Sequence, residues 1–249
     1  MITIVSAYIN INRTIGQRTR EDYLKFGKKI LEINSPKIIF LDKETIDRLG
    51  ESYIKSLTKT TIIPFEKDEL MLYGLEQSKV TLPDPPPYET KPSVEYLALQ
   101  INKTEWVRKA IELNPFGTEQ FVWIDFGIYH IFNDATVFSK SIEQSVARTY
   151  PNVRMAGIRP IHPNISPSSL NPTSPIFDLP MWYFAGGVFG GHKDSLLLFA
   201  DRVRNKVREF ITAGRLTWEI NIWYALYFQN KELFDIYYCD HNKSILENY

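Results

Sequence analysis

Cysteine is almost missing from this chain. Cys239 is the one thiol in 249 residues, which rules out an internal disulfide and any multi-cysteine metal site and suits a reducing compartment. Net charge is missing too. Lys plus Arg number 29 and Asp plus Glu number 29, so there is no basic field for a polyanion and no nucleic-acid partner is expected. Long apolar runs are absent, so no transmembrane segment is expected. The opening stretch MITIVSAYIN has no basic segment and no small-residue cleavage site, and it reads as a buried strand rather than a signal peptide. A soluble protein with a cytoplasmic location is the expectation. Only four histidines occur, with no H-x-H or H-x-x-x-H pair, which argues against a dedicated zinc site. There is no internal repeat to suggest a solenoid.

What is present reads as α/β. Residues 2–9 are apolar on nearly every position, as in a strand covered on both faces. After a polar loop, Tyr23, Phe26, Ile30 and Leu31 recur at helical spacing behind a cap at Thr19. KIIFLD (37–42) and TTIIPF (60–65) read as further strands, with helix between them at 43–57. Five prolines between 83 and 92 make an extended connector. Ser93 then opens one helix carrying Val94, Leu97, Ile101 and Ala110, closed by Asn114-Pro115, and QFVWID follows as a strand. Six more prolines lie in 160–180, a loop long enough to serve as a wall or lid of a site. MWYFAGGVFGG comes next. A helix then runs from Asp194 to about Ala213 with Gly214 beyond it, and Thr217 opens another in LTWEINIWYALYF. FDIYYCDH is a last strand. The expected fold is a single α/β domain, a mostly parallel central sheet flanked by helices.

FVWIDFGIYH (121–130) places Asp125 at the end of a buried strand. In open α/β sheets ligands bind outside those strand ends. There the carboxylate either holds a divalent cation or a ribose hydroxyl, or it merely starts a turn with Gly127. In AGGVFGG (185–191), four of the chain's 12 glycines fall within six residues. They leave backbone bare for a sugar ring or, on the plainer reading, for a turn with a bulge. No GKS or GKT follows, so this is not a P-loop. Glu219 sits in the first turn of a helix between Trp218 and Trp223. Capping electrostatics account for it, and an acid among aromatic faces also suits a sugar hydroxyl. His241, beside Asp240, is either solvated or one ligand of a Mn²⁺ or Mg²⁺ shell completed by Asp125 and phosphate oxygens. Arg13 and Lys103 are cations that the topology aims at the same crevice, unless they are ordinary surface residues.

Taken in order, VSAYIN with Arg13, YLALQINK ahead of FVWIDFGI, FAGGVFGG and TWEINIWYALYF resemble the bacterial HtrL/YibB (WlaTC) group of predicted glycosyltransferases, and more loosely the GT-A glycosyltransferase fold. The likeness spans strand one to the helix near 228. It implies a nucleotide-binding half, 1–130, and a smaller acceptor and sugar-binding half, 131–249. It also implies that Ala7, Tyr8 and Arg13 hold base and ribose, and that Asp125-Phe126-Gly127 stands where such enzymes carry D-x-D. The second aspartate, usually the direct metal ligand, is here Gly127. His241 takes the place of an added metal ligand, Gly186 and Gly187 lie beside the donor sugar, and Glu219 is the base or a sugar-positioning carboxylate.

The resulting expectation is a transferase moving a sugar from a nucleotide-sugar, a UDP-sugar foremost, to a glycan or glycoconjugate hydroxyl, as in polysaccharide biosynthesis. Arg13, Lys103 and a Mn²⁺ or Mg²⁺ ion near Asp125 would meet the charge on the departing diphosphate. Asp178 and His192, on either side of the glycine segment, are reserve candidates for the base. Because Gly127 replaces an aspartate, a catalytically silent sugar-binding or assembly protein on the same fold is the alternative. A metal-dependent hydrolase would need more clustered carboxylates than the sequence offers.

Overall fold

Runs that are apolar on every position build a sheet buried on both faces. The computed structural model describes residues 1–11, 18–85, 92–160 and 170–249. In chain order, β1 (Ile2–Tyr8), α1 (Arg20–Leu31), β2 (Lys37–Leu41), α2 (Lys43–Leu49), α3 (Glu51–Ser56) and β3 (Thr60–Pro64) come first. α4 (Val94–Ile101), α5 (Lys103–Leu113) and β4 (Gln120–Ile124) follow. The remainder is α6 (Ala135–Ser145), β5 (Val153–Gly157), β6 (Phe184–His192), α7 (Lys193–Thr212), α8 (Glu219–Gln229), β7 (Phe234–Tyr238) and α9 (Ser244–Glu247).

The seven strands form one sheet in the order β3-β2-β1-β4-β6-β5-β7. All run parallel except β6, which is antiparallel to both of its neighbours. Successive side chains of a strand point to opposite faces, and the core divides accordingly. Val5, Ile38, Phe40, Trp123 and Phe189 pack on one side with α4, α5, α7 and α8. Ile4, Ile39, Leu41, Val122 and Val188 pack on the other with α1, α6 and α9. The result is the expected single α/β domain, helices on both faces of a mostly parallel sheet.

Local chemistry accounts for most boundaries. Thr19 caps α1 in a reciprocal capping box with Asp22. Asp42 caps α2, its Oδ1 accepting from Thr45 N at 2.6 Å. Gly214 ends the α7 segment with φ +68°. Other expectations need correction. The helix foreseen at 43–57 is broken at Gly50, φ +82°. The helix foreseen from Ser93 to Asn114 is two helices, interrupted at Asn102, whose Oδ1 accepts from Met71 N at 3.0 Å. Thr217 does not cap α8; its hydroxyl donates instead to Phe177 O at 2.8 Å. The glycine segment is neither turn nor loop. It forms most of β6 between β4 and β5, and a Cβ at Gly190 would strike Phe121 O and the Tyr249 hydroxyl. α6, β5 and α9 are further elements, not among those read from the sequence.

Candidate active site

The chain leaves β1 toward β2 and β3 on one side, and places β4 on the other. That reversal makes a crevice at the C-terminal ends of β1 and β4. A cavity of about 370 Å³ opens there. Tyr8 from β1, Lys103 from α5, Asp125 after β4, Gly186 from β6 and Glu219 from α8 all line it. Residues more than a hundred positions apart in the chain meet at one point.

That point is the Lys103 ammonium. Its Nζ lies 3.2 Å from Asp125 Oδ1, 3.2 Å from Glu219 Oε1 and 3.1 Å from Gly186 O. An ammonium has three N–H donors, and three groups accept from this one, Asp125 through its Oδ2 at 3.5 Å. Lys103 is 5% exposed and Glu219 5%. Burial works to lower the Lys103 pKa, but the carboxylates of Asp125 and Glu219 outweigh it and hold it above the usual lysine value. Asp125 is the more open carboxylate, with its side chain 38% exposed. Trp123 Nε1 donates to its Oδ1 at 2.7 Å, and the Trp123 ring stacks on Trp106 of α5 with centroids 5.7 Å apart and planes 6° apart. The break at Asn102 makes Lys103 the first residue of α5. Gly186 completes the arrangement, because a Cβ there would strike Glu219 Oε1 and sit 3.1 Å from Lys103 Nζ.

Aromatic rings form much of the remaining wall. Tyr23, Tyr8 and Phe126 stack in a row with centroid separations of 5.4 and 5.7 Å. Burial, partly opposed by the Arg20 charge, pushes the Tyr8 hydroxyl up to about 12. Opposite, Trp182 meets the His241 ring edge to face at 4.9 Å. Asn221, fully buried, fastens this wall: its Oδ1 accepts from Met181 N at 2.7 Å and its Nδ2 donates to Leu179 O at 2.9 Å.

Of the residues singled out from sequence, Ala7, Tyr8, Lys103, Asp125, Gly127, Gly186, Gly187, Glu219 and His241 all line the cavity. Arg13 lies outside the described residues. Two others are not brought to the crevice. His192 ends β6 opposite Gln120, the first residue of β4, about five residues or ~17 Å along the sheet from Asp125. It caps α7 there, its Nδ1 accepting from Asp194 N. Asp178 ion-pairs with Arg215 outside the cavity lining. The nine-residue strand β6 carries His192 to the end of the sheet away from Gly186.

Arg18 and His130 are among the lining residues that were not foreseen. Arg18 stands at the cavity wall and hydrogen-bonds the Tyr23 side chain. His130, the last residue of FVWIDFGIYH, returns to the cavity through the helical turn 128–131, its Nδ1–H donating to Gly127 O at 2.7 Å. Burial pushes its pKa below the ordinary histidine value, which leaves a neutral ring with Nε2 as an acceptor. The only signal for His130 was its presence in the quoted decapeptide.

The donor set does not fit a divalent cation. Asp125 already shares its carboxylate with Lys103 and Trp123, Glu219 faces the same ammonium, and His241 is packed against Trp182. Among the described residues, no group of three His, Cys, Asp or Glu is placed to hold a metal.

Residues 1–243 match the family described as "Bacterial protein of unknown function (HtrL_YibB)". The chain belongs to the HtrL_YibB family. No curated protein is similar to it in sequence at a significant level. Among solved structures, mouse xyloside xylosyltransferase 1 is 10% identical, with a TM-score of 0.45 over 94% of this chain and 84% of that one. The 4-diphosphocytidyl-2C-methyl-D-erythritol synthase of Anaerococcus prevotii is also 10% identical, with a TM-score of 0.45 over 100% of this chain and 88% of that one. Likeness at this level says nothing of substrate. No helix among the described residues of this HtrL_YibB protein is long and apolar enough to cross a membrane.

Proposed function

We propose that this HtrL_YibB protein is a nucleotide-sugar-dependent glycosyltransferase, with a UDP-sugar as donor and a glycan or glycoconjugate hydroxyl as acceptor. The observation that carries this reading is the cavity at the β1/β4 reversal, with two carboxylates on one buried lysine beside bare glycine backbone. Residues 1–130 supply the nucleotide side. There the stacked row of Phe126, Tyr8 and Tyr23 walls the base site, and Asp125 offers a carboxylate to a ribose or sugar hydroxyl. Residues 131–249 supply the sugar and acceptor side through Gly186, Gly187, Trp182 and Glu219.

In the transfer, the bond between the anomeric carbon and the diphosphate oxygen breaks, and the nucleoside diphosphate leaves with its electron pair. The acceptor oxygen forms the new bond to that carbon, and its proton passes to Glu219. Oε1 of Glu219 is engaged by Lys103, so the other carboxylate oxygen takes the proton. Negative charge developing on the diphosphate calls for a cation in place beforehand. The three donors of Lys103 are spent within the protein, which gives that task to Arg18 at the wall.

Thermal shift with UDP, GDP and CMP tests the reading, because a ligand that binds only the native state raises the melting point. UDP is expected to raise it most. No shift with any nucleotide would sink the proposal. Slow hydrolysis of a UDP-sugar, lost in Glu219→Gln, tests the proton acceptor. Gly127, in place of a second carboxylate, favours a second reading as a sugar-binding protein without turnover. Binding of UDP-sugar with no hydrolysis and no transfer would select it.

A further inference from the structure

We propose that the Lys103 ammonium permanently fills the cation position of this site, so that the protein binds its nucleotide diphosphate without a divalent metal ion. The nucleotide part of this statement rests on the function proposed above; the cation part rests on geometry alone. Two carboxylates and a backbone carbonyl are hard oxygen donors, the chemistry that Mg²⁺ and Mn²⁺ take. Here Asp125 Oδ1, Glu219 Oε1 and Gly186 O converge on Nζ of Lys103 at 3.2, 3.2 and 3.1 Å. The three groups match in number the three protons of an ammonium, Asp125 accepting through Oδ2 at 3.5 Å. A metal on Asp125 would have to share these oxygens with a fixed positive charge a few ångströms away, and like charges that close in a shielded pocket repel strongly.

The surrounding residues favour the ammonium as occupant. Lys103 is rooted in the first turn of α5, and its side chain is 6% exposed, so it cannot swing into solvent without emptying the crevice floor. Gly186 is the residue type that lets the carbonyl and the Glu219 carboxylate reach Nζ together, since any Cβ would strike Glu219. Trp123 pins Asp125 Oδ1 from the strand side at 2.7 Å. Gly127, which has no side chain to offer a metal, is then no loss: with Lys103 in place there is no second ligand to supply.

The test has two arms that fail separately. In the first, UDP binding to the wild-type protein is measured by titration calorimetry in EDTA and again in millimolar Mn²⁺. Affinity within about twofold between the two supports the inference, and binding only with Mn²⁺ overturns it. In the second, melting of wild type and of Lys103→Ala is compared with and without Mn²⁺, no nucleotide present. The expected result is no shift for wild type and a rise of several degrees for Lys103→Ala, whose vacated oxygens then take the metal. A Mn²⁺ shift in wild type, or none in Lys103→Ala, overturns the cation assignment. If UDP binds under neither condition, the nucleotide reading fails and the melting comparison still decides the cation position. If Lys103→Ala does not fold, the wild-type response to Mn²⁺ decides it.

Discussion

Trp123 and Asp125 stand two residues apart at the end of β4, and the Trp123 indole donates to Asp125 Oδ1 at 2.7 Å. Residues i and i+2 share a face of a strand, so the indole and the carboxylate emerge side by side. Stacking of Trp123 on Trp106 fixes the indole, and the indole fixes the carboxylate.

Trp123→Phe keeps the stacked ring and removes the donor. A buried hydrogen bond to a charged group is worth about 1.5–3 kcal/mol, or roughly 3–12 °C in melting temperature for a domain of this size. UDP-sugar hydrolysis should fall about tenfold as Asp125 loses its fixed orientation. An unchanged kcat in the folded variant would show that the indole does not position the carboxylate.

Gly186→Ala and Gly187→Ala form a matched pair one residue apart on β6. At Gly186 the new methyl strikes Glu219, whereas at Gly187 it meets the Ile128 Cδ1 at 3.0 Å, the movable end of a flexible side chain. Overpacking costs about 1–3 kcal/mol. Binding of UDP, which carries no donor sugar, should be lost in Gly186→Ala and kept in Gly187→Ala, read by calorimetry. Equal losses would place the constraint in the strand rather than in the charged cluster.

Arg18→Gln tests the cation assigned to the diphosphate. Loss of one charge-assisted contact, about 1.5–3 kcal/mol, weakens UDP binding roughly 10- to 100-fold. Uridine binding should change little, because it carries no phosphate. Equal loss for both ligands would mean that Arg18 supports the wall through Tyr23 instead.

Lys37 carries a pH prediction unrelated to the site. It is fully buried, with Nζ 3.1 Å from Thr60 Oγ1 and close against Ile33 O. Burial, helped by the charge of Lys59, pushes its pKa down from 10.5 to about 8. Between those values the unfolded chain holds a proton that the folded chain has released, so stability rises with pH across that window. The gain is complete above the unfolded value and is lost as pH falls through about 8. At about 1.4 kcal/mol per unit over the interval from about 8 to 10.5 it comes to roughly 3.5 kcal/mol. Urea unfolding at pH 7.5 and pH 10.5 should show this slope in wild type and not in Lys37→Met. Parallel slopes in the two proteins would refute it.

Much of the fold was legible because it is written in local chemistry. The apolar runs of β1, β2 and β4, the Thr19 capping box and Gly214 each act over a few residues. Where expectation failed, a distant group had intervened: Asn102, held by Met71 N, interrupts the helix after Ser93, and Thr217 turns from capping to Phe177 O. The glycines of β6 were visible as a feature but not as a strand, since their role depends on Phe121, Tyr249 and Glu219 packed against them.

By itself the sequence determined the class of fold and which residue types could do chemistry, because hydrophobic periodicity and side-chain functional groups belong to each residue alone. It also delivered Asp125 to a strand end. Only the tertiary structure decided that Lys103 is spent on Asp125, Glu219 and Gly186, that Arg18 and His130 reach the cavity, and that His192 and Asp178 do not. The reason is geometric. Which charges neutralise one another depends on separations of 3–4 Å between residues as far apart in the chain as Lys103 and Glu219, and no local pattern encodes a distance of that kind.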